Sequence, residues 1–459
     1  MPLMKIYKAE IAILLFVFCG VLRSQTLEDE AVDWLQNYIQ IDTINPPGNE
    51  YRAVDFLAEI FEAEGIEYQT AESAPGRGNI WARLEGGNEP GLILLQHSDV
   101  VPADEEFWTI PVLSGAIRDG VILGRGARDM KGLGTLQLAT FIALHRSGVK
   151  LNRDVVFLAT ADEEAGGLFG VGWLIENRPE IFEDIGILLN EGGGGSRVGQ
   201  SVVFSVEVTQ KVPVWLRLYA IDQPGHGSSP RTTSSVTRIV QALNTMLENP
   251  FPPRIIGPVN EYFGALSLDM DEDWASSYAD IQSAINDPSF VAKLHDARPA
   301  HNSLIRDTCS MTRMSGSNKI NVIPPTAWAE LDCRILPDKP ADQFISELDD
   351  LIGYTGVEIQ KIMAFTPAIS ETNSRLYRAI DSVTQELHPG SRVLPSVSTG
   401  FTDSHFTRDL GIISYGFNPI ITNRGEHTGV HGNDEQVGEE AFRRGVGDFY
   451  AVVRNVVID

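Results

Sequence analysis

Acidic and imidazole side chains recur directly after apolar segments of this chain, an arrangement that suits metal or proton chemistry. The clearest case is ATADEEAGG, in which Asp162, Glu163 and Glu164 follow the apolar residues 155–158. Four contiguous apolar residues predict a strand that is buried on both faces, as in a parallel sheet. Ligands of open α/β sheets bind at the carboxyl ends of strands, so a functional site is favoured here over a solvated acidic loop.

Four further segments place similar side chains after a predicted strand or in a glycine-rich turn. These segments are LILLQHSDVV, GRGARDMKGLG, ILLNEGGGG and EHTGVHGNDE, and they carry His97 and Asp99, Asp129, Glu191, and His427 and His431. Each has an ordinary explanation, such as a core histidine beside a carboxylate or a helix N-cap. Together they form a nitrogen and oxygen set that suits zinc, cobalt or manganese. The surplus of carboxylates favours two ions that share one of them.

Two local relationships suggest roles within this set. Asp99 lies two residues after His97, so its carboxylate is expected to accept the second imidazole N–H and set the tautomer of a liganding histidine. Glu163 and Glu164 are neighbours whose side chains point to different sides, so one can bind metal while the other carries a proton. The glycines after Glu191 are not followed by the helix of a dinucleotide-binding loop, which argues against nucleotide binding.

The length and charge of the chain limit its architecture and partners. At 459 residues it is long enough for two domains with ample cores. It has 36 Lys and Arg against 62 Asp and Glu, a net charge of −26. Such a charge repels phosphate backbones and anionic lipid, so nucleic acid and anionic membranes are not expected partners.

The N-terminus predicts export. Lys5 and Lys8 precede an apolar segment at 11–22 that is too short for a comfortable bilayer span. We therefore predict a signal peptide at residues 1–24 and a secreted or periplasmic protein, with an uncleaved membrane anchor as the alternative.

Two cysteines remain if the signal peptide is removed. Cys309 and Cys333 lie in predicted neighbouring strands and could pair, but the sequence does not define the geometry that a disulfide requires. Two separate buried thiols are the slightly favoured expectation.

Alternating strands and helices predict an α/β domain with a mostly parallel sheet. The predicted helices are 27–41, 50–65, 132–147 and 169–177, and the predicted strands are 91–95, 154–160 and 185–189. This catalytic domain is expected to comprise residues 25–211 and 368–459. Residues 212–367 between them show the order strand, helix, paired strands, helix, strand of a ferredoxin-like α+β domain. A segment at 249–302 is interpreted as an addition within that inserted domain.

The motifs HSD, GRGARDMKG, DEE, NEGG and HGNDE, in this order and with an inserted domain, resemble one known family. It is the di-zinc metallopeptidase family of aminoacylase, glutamate carboxypeptidase, carboxypeptidase S and succinyl-diaminopimelate desuccinylase. The resemblance extends from about residue 27 to the C-terminus. It implies that Asp129 bridges the two ions, with His97 and Glu191 on one and Glu164 and His431 on the other.

The resemblance also implies a proton carrier and a backbone feature. Glu163 becomes the general base that takes a proton from the attacking water and passes it to the leaving amine. The peptide bond between Asp129 and Met130 is expected to be cis.

Further matches fall in and after the inserted domain, which the family uses as a lid or dimerisation domain. His226 in QPGHGSSP corresponds to a histidine that supports the oxyanion, often from the partner subunit, although a turn histidine is the plainer interpretation. Asn321 and Arg334 correspond to residues that bind the substrate carboxylate, and a surface ion pair is the alternative for Arg334. Gly400 and Thr402 belong to the loop STGFTDSHF near that carboxylate.

This loop departs from the family pattern at two positions. Phe401 replaces a small residue, and His405 stands where some relatives have arginine. Both changes affect the expected shape of the substrate pocket and leave the expected chemistry unchanged.

These observations predict a two-metal hydrolase that cleaves an amide bond beside a free carboxylate bound by Arg334. Peptides and N-acyl amino acids fit as substrates, zinc is the expected metal with cobalt or manganese as alternatives, and a homodimer through the inserted domain is expected. Two other functions remain open, a hydrolase of carbamoyl or ureido compounds and a peptide-binding relative without turnover.

Overall fold

The computed structural model describes residues 25–198, 201–353, 355–423 and 425–458. The predicted signal peptide at residues 1–24 lies outside the described residues. Within those ranges, no helix is long and apolar enough to cross a membrane.

The first part of the chain alternates helices and strands. Its helices are α1 (Leu27–Gln40), α2 (Tyr51–Glu64), α3 (Lys131–Ser147) and α4 (Val171–Asn177). Its strands are β1 (Tyr68–Glu72), β2 (Gly78–Leu84), β3 (Glu89–His97), β4 (Ala116–Arg118), β5 (Val121–Leu123), β6 (Arg153–Thr160), β7 (Ile185–Asn190), β8 (Gly194–Val198) and β9 (Ser201–Gln210). All the helices and strands predicted in this part are present, with ends that differ by one or two residues.

The middle of the chain contains a second sheet and a group of short helices. Its elements are β10 (Val212–Ile221), β11 (Gly225–His226), α5 (Ser235–Glu248), α6 (Gly257–Leu266), α7 (Glu272–Ala279), α8 (Ile281–Ala284), α9 (Pro288–Ala297), α10 (Pro299–Leu304), β12 (Thr308–Ser315), β13 (Val322–Ile323), β14 (Thr326–Ile335), α11 (Ala341–Ile352) and β15 (Val357–Ala364). The chain then returns to the first domain through α12 (Arg375–Leu387), β16 (Arg392–Ser398), α13 (Ser404–Asp409), β17 (Ile413–Gly416), β18 (Ile421–Asn423), β19 (Gln436–Gly438) and α14 (Glu439–Val457).

The large sheet has the strand order β1-β2-β6-β3-β7-β17-β9-β8-β18, and β16 pairs with β9. Its central strands β6, β3, β7 and β17 are parallel, whereas β1 and β2 pair antiparallel with their neighbours. Strand β8 pairs antiparallel with β9 and parallel with β18. The predicted α/β fold with a mostly parallel sheet is confirmed. His97 ends β3 opposite Thr160 at the end of β6, so the polar residues that follow β3, β6 and β7 reach one edge of the sheet.

Burial on both faces explains the apolar strands that flank the site. In β3, Leu92 and Leu94 pack into the core beneath α1, α3 and α14, while Ile93 and Leu95 pack on the opposite face with α4. Each fully buried side chain of this kind contributes about 1.5–3 kcal/mol relative to an exposed one. The sheet therefore provides a rigid base for the loops at its carboxyl edge.

The inserted domain has a four-stranded antiparallel sheet in the order β12-β14-β10-β15, which is the ferredoxin-like order. Its core forms between this sheet and the helices α5 and α11. The chain passes from the large sheet to this sheet at Lys211, between β9 and β10.

A disulfide joins two strands of the inserted domain. Cys309 on β12 lies directly opposite Cys333 on β14, and their sulfur atoms are bonded. The expectation of two separate thiols is therefore wrong, because the register of these strands brings the two cysteines together.

The segment at 249–302 differs from its expected place within the inserted domain. It forms α6 to α10, whose apolar side chains build a cluster of their own that includes Val397 of β16. Helix α6 packs on β16, a strand of the large sheet. The segment thus covers the large sheet instead of extending the core of the inserted domain.

Candidate metal centre and active site

Asp129 lies at the centre of the candidate site, in the turn before α3. Its peptide bond to Met130 is cis, as the family resemblance implies. One carboxylate oxygen, Oδ1, lies 3.3 Å from His97 Nε2, and the other, Oδ2, lies 3.1 Å from His431 Nε2. The two oxygens of one carboxylate therefore face two different histidines.

A second carboxylate accompanies each histidine. Glu191 Oε2 lies 3.6 Å from His97 Nε2, and Glu164 Oε2 lies 3.3 Å from His431 Nε2. With zinc–ligand bonds of roughly 2.0–2.1 Å, two ligand atoms of a tetrahedral site lie about 3.4 Å apart. The structure thus brings the five predicted ligands together around Asp129, with each histidine near two of the carboxylates. Among the described residues, the groups whose ligand atoms all lie within 4.8 Å of one another are His97, Asp129 and Glu164, and His97, Glu163 and Glu191.

Buried carboxylates outnumber cationic side chains in this cluster. Burial raises the pKa of Glu191 to about 7 and raises the pKa of Glu164, because the carboxylates lack water and repel one another. Burial alone also favours a raised pKa for Asp129, but hydrogen bonds from His431 and His97 hold it below its ordinary value. Divalent cations would neutralise this excess of negative charge, so the donor set fits two metal ions.

Glu163 lies beside the ligands but is not the nearest carboxylate to His97. Its Oε2 atom is 4.0 Å from His97 Nε2, compared with 3.6 Å for Glu191. The residue is 5% exposed, and burial together with the charge of Glu191 raises the pKa of its carboxyl well above the ordinary value. A buried carboxyl with a raised pKa next to a metal site suits a proton carrier.

The role expected for the Asp99 carboxylate needs correction. His97 Nδ1 donates to the backbone carbonyl of Asp99 at 2.9 Å, while the nearest carboxylate oxygen is 3.5 Å away. That carboxylate instead accepts the backbone N–H groups of Glu163 and Glu164 at 3.1 and 3.2 Å, and Asn45 Nδ2 at 2.8 Å. Asp99 therefore fixes the loop that carries two acidic site residues, and a backbone oxygen sets the tautomer of His97.

Glu435 is a buried residue whose role sequence analysis did not identify. Its carboxylate accepts the backbone N–H groups of Gly126, Arg128 and Asp129 at 3.0, 2.7 and 3.0 Å, and it pairs with Arg125. Glu435 is the last residue of the HGNDE motif. The sequence therefore indicated that this segment belongs to the site, but it did not indicate that Glu435 binds the turn before α3.

A second unforeseen group supports the acidic loop from the other side. Arg77 pairs with Glu50 and donates to Asp162 at 2.7 Å and to the side-chain oxygen of Asn45 at 3.0 Å. Since Asn45 also donates to Asp99, Arg77 links two segments of the catalytic domain to the loop that carries Glu163. No pattern in the sequence around Arg77 predicts this contact.

The loop predicted to lie near the substrate is partly buried. Thr402 donates through both its backbone N–H and its hydroxyl to Gln210 Oε1, each at 3.1 Å, and Gly400 is exposed. His405 Nδ1 donates to the backbone oxygen of Thr402, and its ring stacks on Phe365 with centroids 3.6 Å apart. Burial lowers the pKa of His405 to about 4, so a neutral imidazole replaces the cationic arginine of some relatives.

Another residue of this loop, Asp403, received no separate role from the sequence. It is 2% exposed, and burial raises its pKa well above the ordinary value, with a weaker opposing effect of His97. Its Oδ2 atom accepts the hydroxyl of Thr160 at 3.4 Å, at the end of β6. Asp403 thus adds a further carboxyl next to the loop of Glu163.

Arg334 forms an ion pair, which was the alternative role predicted for it, and one nitrogen of its guanidinium remains available as a donor. Its guanidinium binds Asp332 at 2.7 and 3.2 Å and lies over the ring of Phe401, 5.6 Å from the centroid. The Nη1 atom is buried without a hydrogen-bond partner among the described residues. The guanidinium of the inserted domain therefore reaches the loop that holds Gly400 and Thr402.

Other candidate residues lie apart from the metal-binding group. His226 and Asn321 are exposed neighbours on the inserted domain, where the Gly227 N–H donates to the Asn321 carbonyl at 2.9 Å. In the described part of the chain, no hydrogen bond or ion pair joins either residue to the metal-binding group. His427 Nε2 contacts the backbone oxygen of Asn433 at 2.9 Å, so His431 supplies the imidazole of that motif.

Known proteins resemble this chain in sequence and in fold. The sequence pattern described as peptidase family M20/M25/M40 matches residues 93–455. The N-fatty-acyl-amino acid synthase/hydrolase of Xenopus tropicalis is 29% identical over 373 residues, which cover 79% of this chain and 72% of the relative. Aminoacylase-1 of Sus scrofa is 26% identical over 435 residues, which cover 92% of this chain and 94% of that protein.

The solved structure of an M20 family metallo-carboxypeptidase from Sulfolobus solfataricus has a TM-score of 0.71 at 18% sequence identity, with 93% of this chain and 99% of the other covered. The family match and the geometry of the site agree on a metal-dependent amide hydrolase of the carboxypeptidase and aminoacylase type. The chain therefore belongs to peptidase family M20/M25/M40.

Proposed function

We propose that this protein cleaves the amide bond of a peptide or N-acyl amino acid next to a free carboxylate, with two divalent metal ions. Zinc is the first choice for both ions, with cobalt or manganese as alternatives. The observation that carries the proposal is Asp129, whose two oxygens face His97 and His431 beside the buried Glu163. Relatives named for N-acyl amino acids and for carboxypeptidase activity support this substrate class.

Five side chains hold the two ions in this proposal. His97 and Glu191 bind one ion, His431 and Glu164 bind the other, and Asp129 binds both. When bound, two such ions supply Lewis acidity and lower the pKa of a water at the site.

Glu163 moves the proton that the reaction requires. Its carboxylate takes a proton from the attacking water as the carbon–oxygen bond forms, and it delivers that proton to the amide nitrogen as the carbon–nitrogen bond breaks. Burial and the charge of Glu191 raise the pKa of this carboxyl, so it holds a proton more firmly than an exposed glutamate does, which suits a proton carrier. The proton taken and the proton delivered balance, so Glu163 returns to its initial state.

The free carboxylate of the substrate binds between the two domains. The unpartnered Arg334 Nη1 atom provides a charged donor, and Gly400 and Thr402 form the adjacent loop. His226 and Asn321 act from the partner subunit of a homodimer, a role that their exposure on the inserted domain supports. There His226 stabilises the developing oxyanion and Asn321 assists in carboxylate binding.

The proposed location is outside the cytoplasm, either secreted or periplasmic. Lys5 and Lys8 before the apolar segment at 11–22 support this proposal. The disulfide between Cys309 and Cys333 supports it as well, because disulfides persist in oxidising compartments. N-terminal sequencing of the exported protein tests cleavage near residue 24, and a protein retained in the cytoplasm would contradict it.

The central experiment compares wild type with Glu163→Gln. Metal content is measured by mass spectrometry, and turnover is measured with dipeptides, N-acyl amino acids and a carbamoyl amino acid. We expect two ions per chain in both proteins and a loss of turnover of about 10²–10⁴-fold or more in the variant. Glu59→Gln, a change at an exposed residue of α2, is the matched control and retains full turnover.

The outcomes of this comparison separate the possible functions. Retained turnover in Glu163→Gln would contradict the role of Glu163 as the base. Absence of metal from the wild-type protein would contradict the proposed metal site. Turnover of the carbamoyl compound alone would replace the proposed substrate class.

A further inference from the structure

A cleft lies on one face of the large sheet, beneath the helices of the segment at 249–302. Two adjoining cavities of about 330 Å³ each form it, and both are lined by Ser205, Tyr262 and His301. Pockets that bind small ligands measure roughly 300–1,000 Å³. The cleft is therefore large enough for a substantial part of a ligand.

The floor of the cleft follows the two-residue period of the strands. On β9, Val202 and Phe204 point into the main core, whereas Val203, Ser205 and Glu207 line the cleft. On β16 the lining runs from Leu394 through Ser396, Val397 and Ser398, where a register shift between Ser396 and Val397 interrupts the alternation. On β8 it comprises Gly194, Ser196 and Arg197. One face of three neighbouring strands thus forms a continuous floor that the main core does not use.

One end of this floor adjoins the proposed active site. Gly193, two residues after Glu191, lines that end together with Ser398 and Thr399, which directly precede Gly400. From Ser398 the floor extends along β16 to Leu394, about 13 Å at roughly 3.3 Å per residue. A group bound in the cleft can therefore extend from a substrate at the metal centre.

The roof over the distal half is largely apolar. Tyr262 and Leu266, four residues apart, present the same side of α6, and Met270 follows them. Together with Val203 and Leu394 on the floor, they enclose apolar surface. This half of the cleft offers apolar surface to hydrocarbon beside the polar side chains of Ser196, His301 and Asn423.

Two arginines line this end, the half-buried Arg298 and the exposed Arg197, together with the amide of Asn423. Arg298 is the one that the roof holds in place. Its guanidinium lies over the ring of Trp274, 4.8 Å from the centroid, and no carboxylate of the described residues forms an ion pair with it. The one acidic residue of the described lining, Glu207, is already paired with Arg408 at 3.0 and 2.6 Å. Burial lowers the pKa of His301 to about 4, so this neighbour is neutral. The described lining therefore contains two arginines that no carboxylate of the described residues pairs with, in a chain with a net charge of −26.

We propose that this cleft binds an extended group of the substrate that is apolar along its length and ends in a carboxylate, which the Arg298 guanidinium binds. The proposal rests on the proposed function, since the group must belong to a substrate held at the metal centre. Either the acyl part or the side chain of the amino acid can carry this group, because both extend from the scissile amide.

The test compares matched substrates with the metal-loaded enzyme. N-octanoylglycine and N-(7-carboxyheptanoyl)glycine vary the acyl part, and N-acetyl-2-aminooctanoate and N-acetyl-2-aminosuberate vary the amino acid. N-acetylalanine is the short reference. We expect kcat/KM to favour the carboxylate-ended member of one pair by about tenfold or more, the typical effect of a hydrogen bond to a charged group.

Two variants assign this preference to the cleft. Arg298→Gln is expected to remove the preference, and Ser205→Phe is expected to block both members of the pair that shows it. N-acetylalanine turnover and metal content stay unchanged in both variants. Arg178→Gln alters another arginine stacked on a tryptophan, 5.9 Å from the ring of Trp81, and is expected to change nothing.

The pair that shows the preference identifies which part of the substrate enters the cleft. Turnover of N-acetylalanine without a preference in either pair would overturn this inference alone, as would a preference that persists in Arg298→Gln. Failure of every substrate would overturn the proposed function instead.

Discussion

The Oε1 atom of Glu435 lies 3.0 Å from the backbone nitrogen of Asp129. The same fully buried carboxylate accepts the N–H groups of Gly126 and Arg128, so one side chain holds three backbone groups of the turn that presents Asp129. A residue of the C-terminal motif thus fixes the ligand that both proposed metal ions share.

Glu435→Gln is expected to weaken metal binding by about 10–100-fold, the typical effect of removing a group that orients a ligand. An amide has one acceptor oxygen, and its NH₂ group would face a backbone N–H. Titration of zinc against a competing chelator measures the change. Glu440→Gln is the control, because Glu440 is exposed and its ion pair among the described residues is with Arg444. Equal affinity of Glu435→Gln and wild type would contradict the role of Glu435.

Arg77→Met is expected to destabilise the protein by about 3–5 kcal/mol, since it leaves two carboxylates buried without their cation. Glu50 and Asp162 have side chains that are 0% and 3% exposed, and Arg77 pairs with both. The control is Arg52→Met, which breaks a pair with Asp42 whose side chains are 43% and 51% exposed. Such exposed pairs contribute about 1 kcal/mol or less. Urea unfolding measures both variants, and similar losses would argue against the Arg77 network.

The disulfide provides a separate test of the inserted domain. Cys309 and Cys333 are 24 residues apart, and a cross-link of that span contributes about 3–4 kcal/mol in the chain-entropy description. The double variant Cys309→Ser, Cys333→Ser is expected to lose that amount in urea unfolding under oxidising conditions. Under reducing conditions the wild-type disulfide is broken, so the free energies of unfolding of the double variant and the wild type should be closer. Alkylation of both thiols in the unreduced wild-type protein would show that the bond does not form.

Lys211 predicts a pH dependence of stability. Burial lowers the pKa of Lys211 to about 7, whereas an exposed lysine titrates near roughly 10.4. The unfolded chain binds this proton more strongly, so the contribution of Lys211 to the free energy of unfolding rises as pH increases from about 7 to about 10. Below that pH range, the contribution of Lys211 to the free energy of unfolding is constant.

Lys211→Met is expected to lose this dependence, although it also loses hydrogen bonds to the Arg306 carbonyl and the Thr308 hydroxyl. Urea unfolding of both proteins at several pH values between 7 and 10 measures the difference in free energy of unfolding. A difference that does not change with pH would show that Lys211 stays protonated in the folded protein.

Local patterns in the sequence were sufficient for the framework of the site. The apolar residues of β3, β6 and β7 predicted buried parallel strands, and the polar residues after each strand predicted one site at the carboxyl edge. This inference succeeds because the period of a strand and the direction of parallel neighbours are set by residues close together in the chain. The five proposed ligands accordingly lie together.

Contacts between distant parts of the chain had no such local signal. Glu435 and Asp129 are 306 positions apart, and nothing near either residue indicates that a side chain holds a backbone turn. The same applies to Arg77, which meets Asp162 across 85 positions. A carboxylate in a motif and an arginine in a loop each allow many partners, and only packing selects one.

The sequence by itself determined the α/β framework, the inserted domain and the set of side chains that meet at the sheet edge. Tertiary structure alone decided that the Asp99 carboxylate binds the loop of Glu163 instead of His97, that Cys309 meets Cys333, and that the helices after α5 cover the large sheet. The physical reason is that residue type and period define elements, whereas hydrogen-bond partners and strand register depend on how elements far apart in the chain pack together.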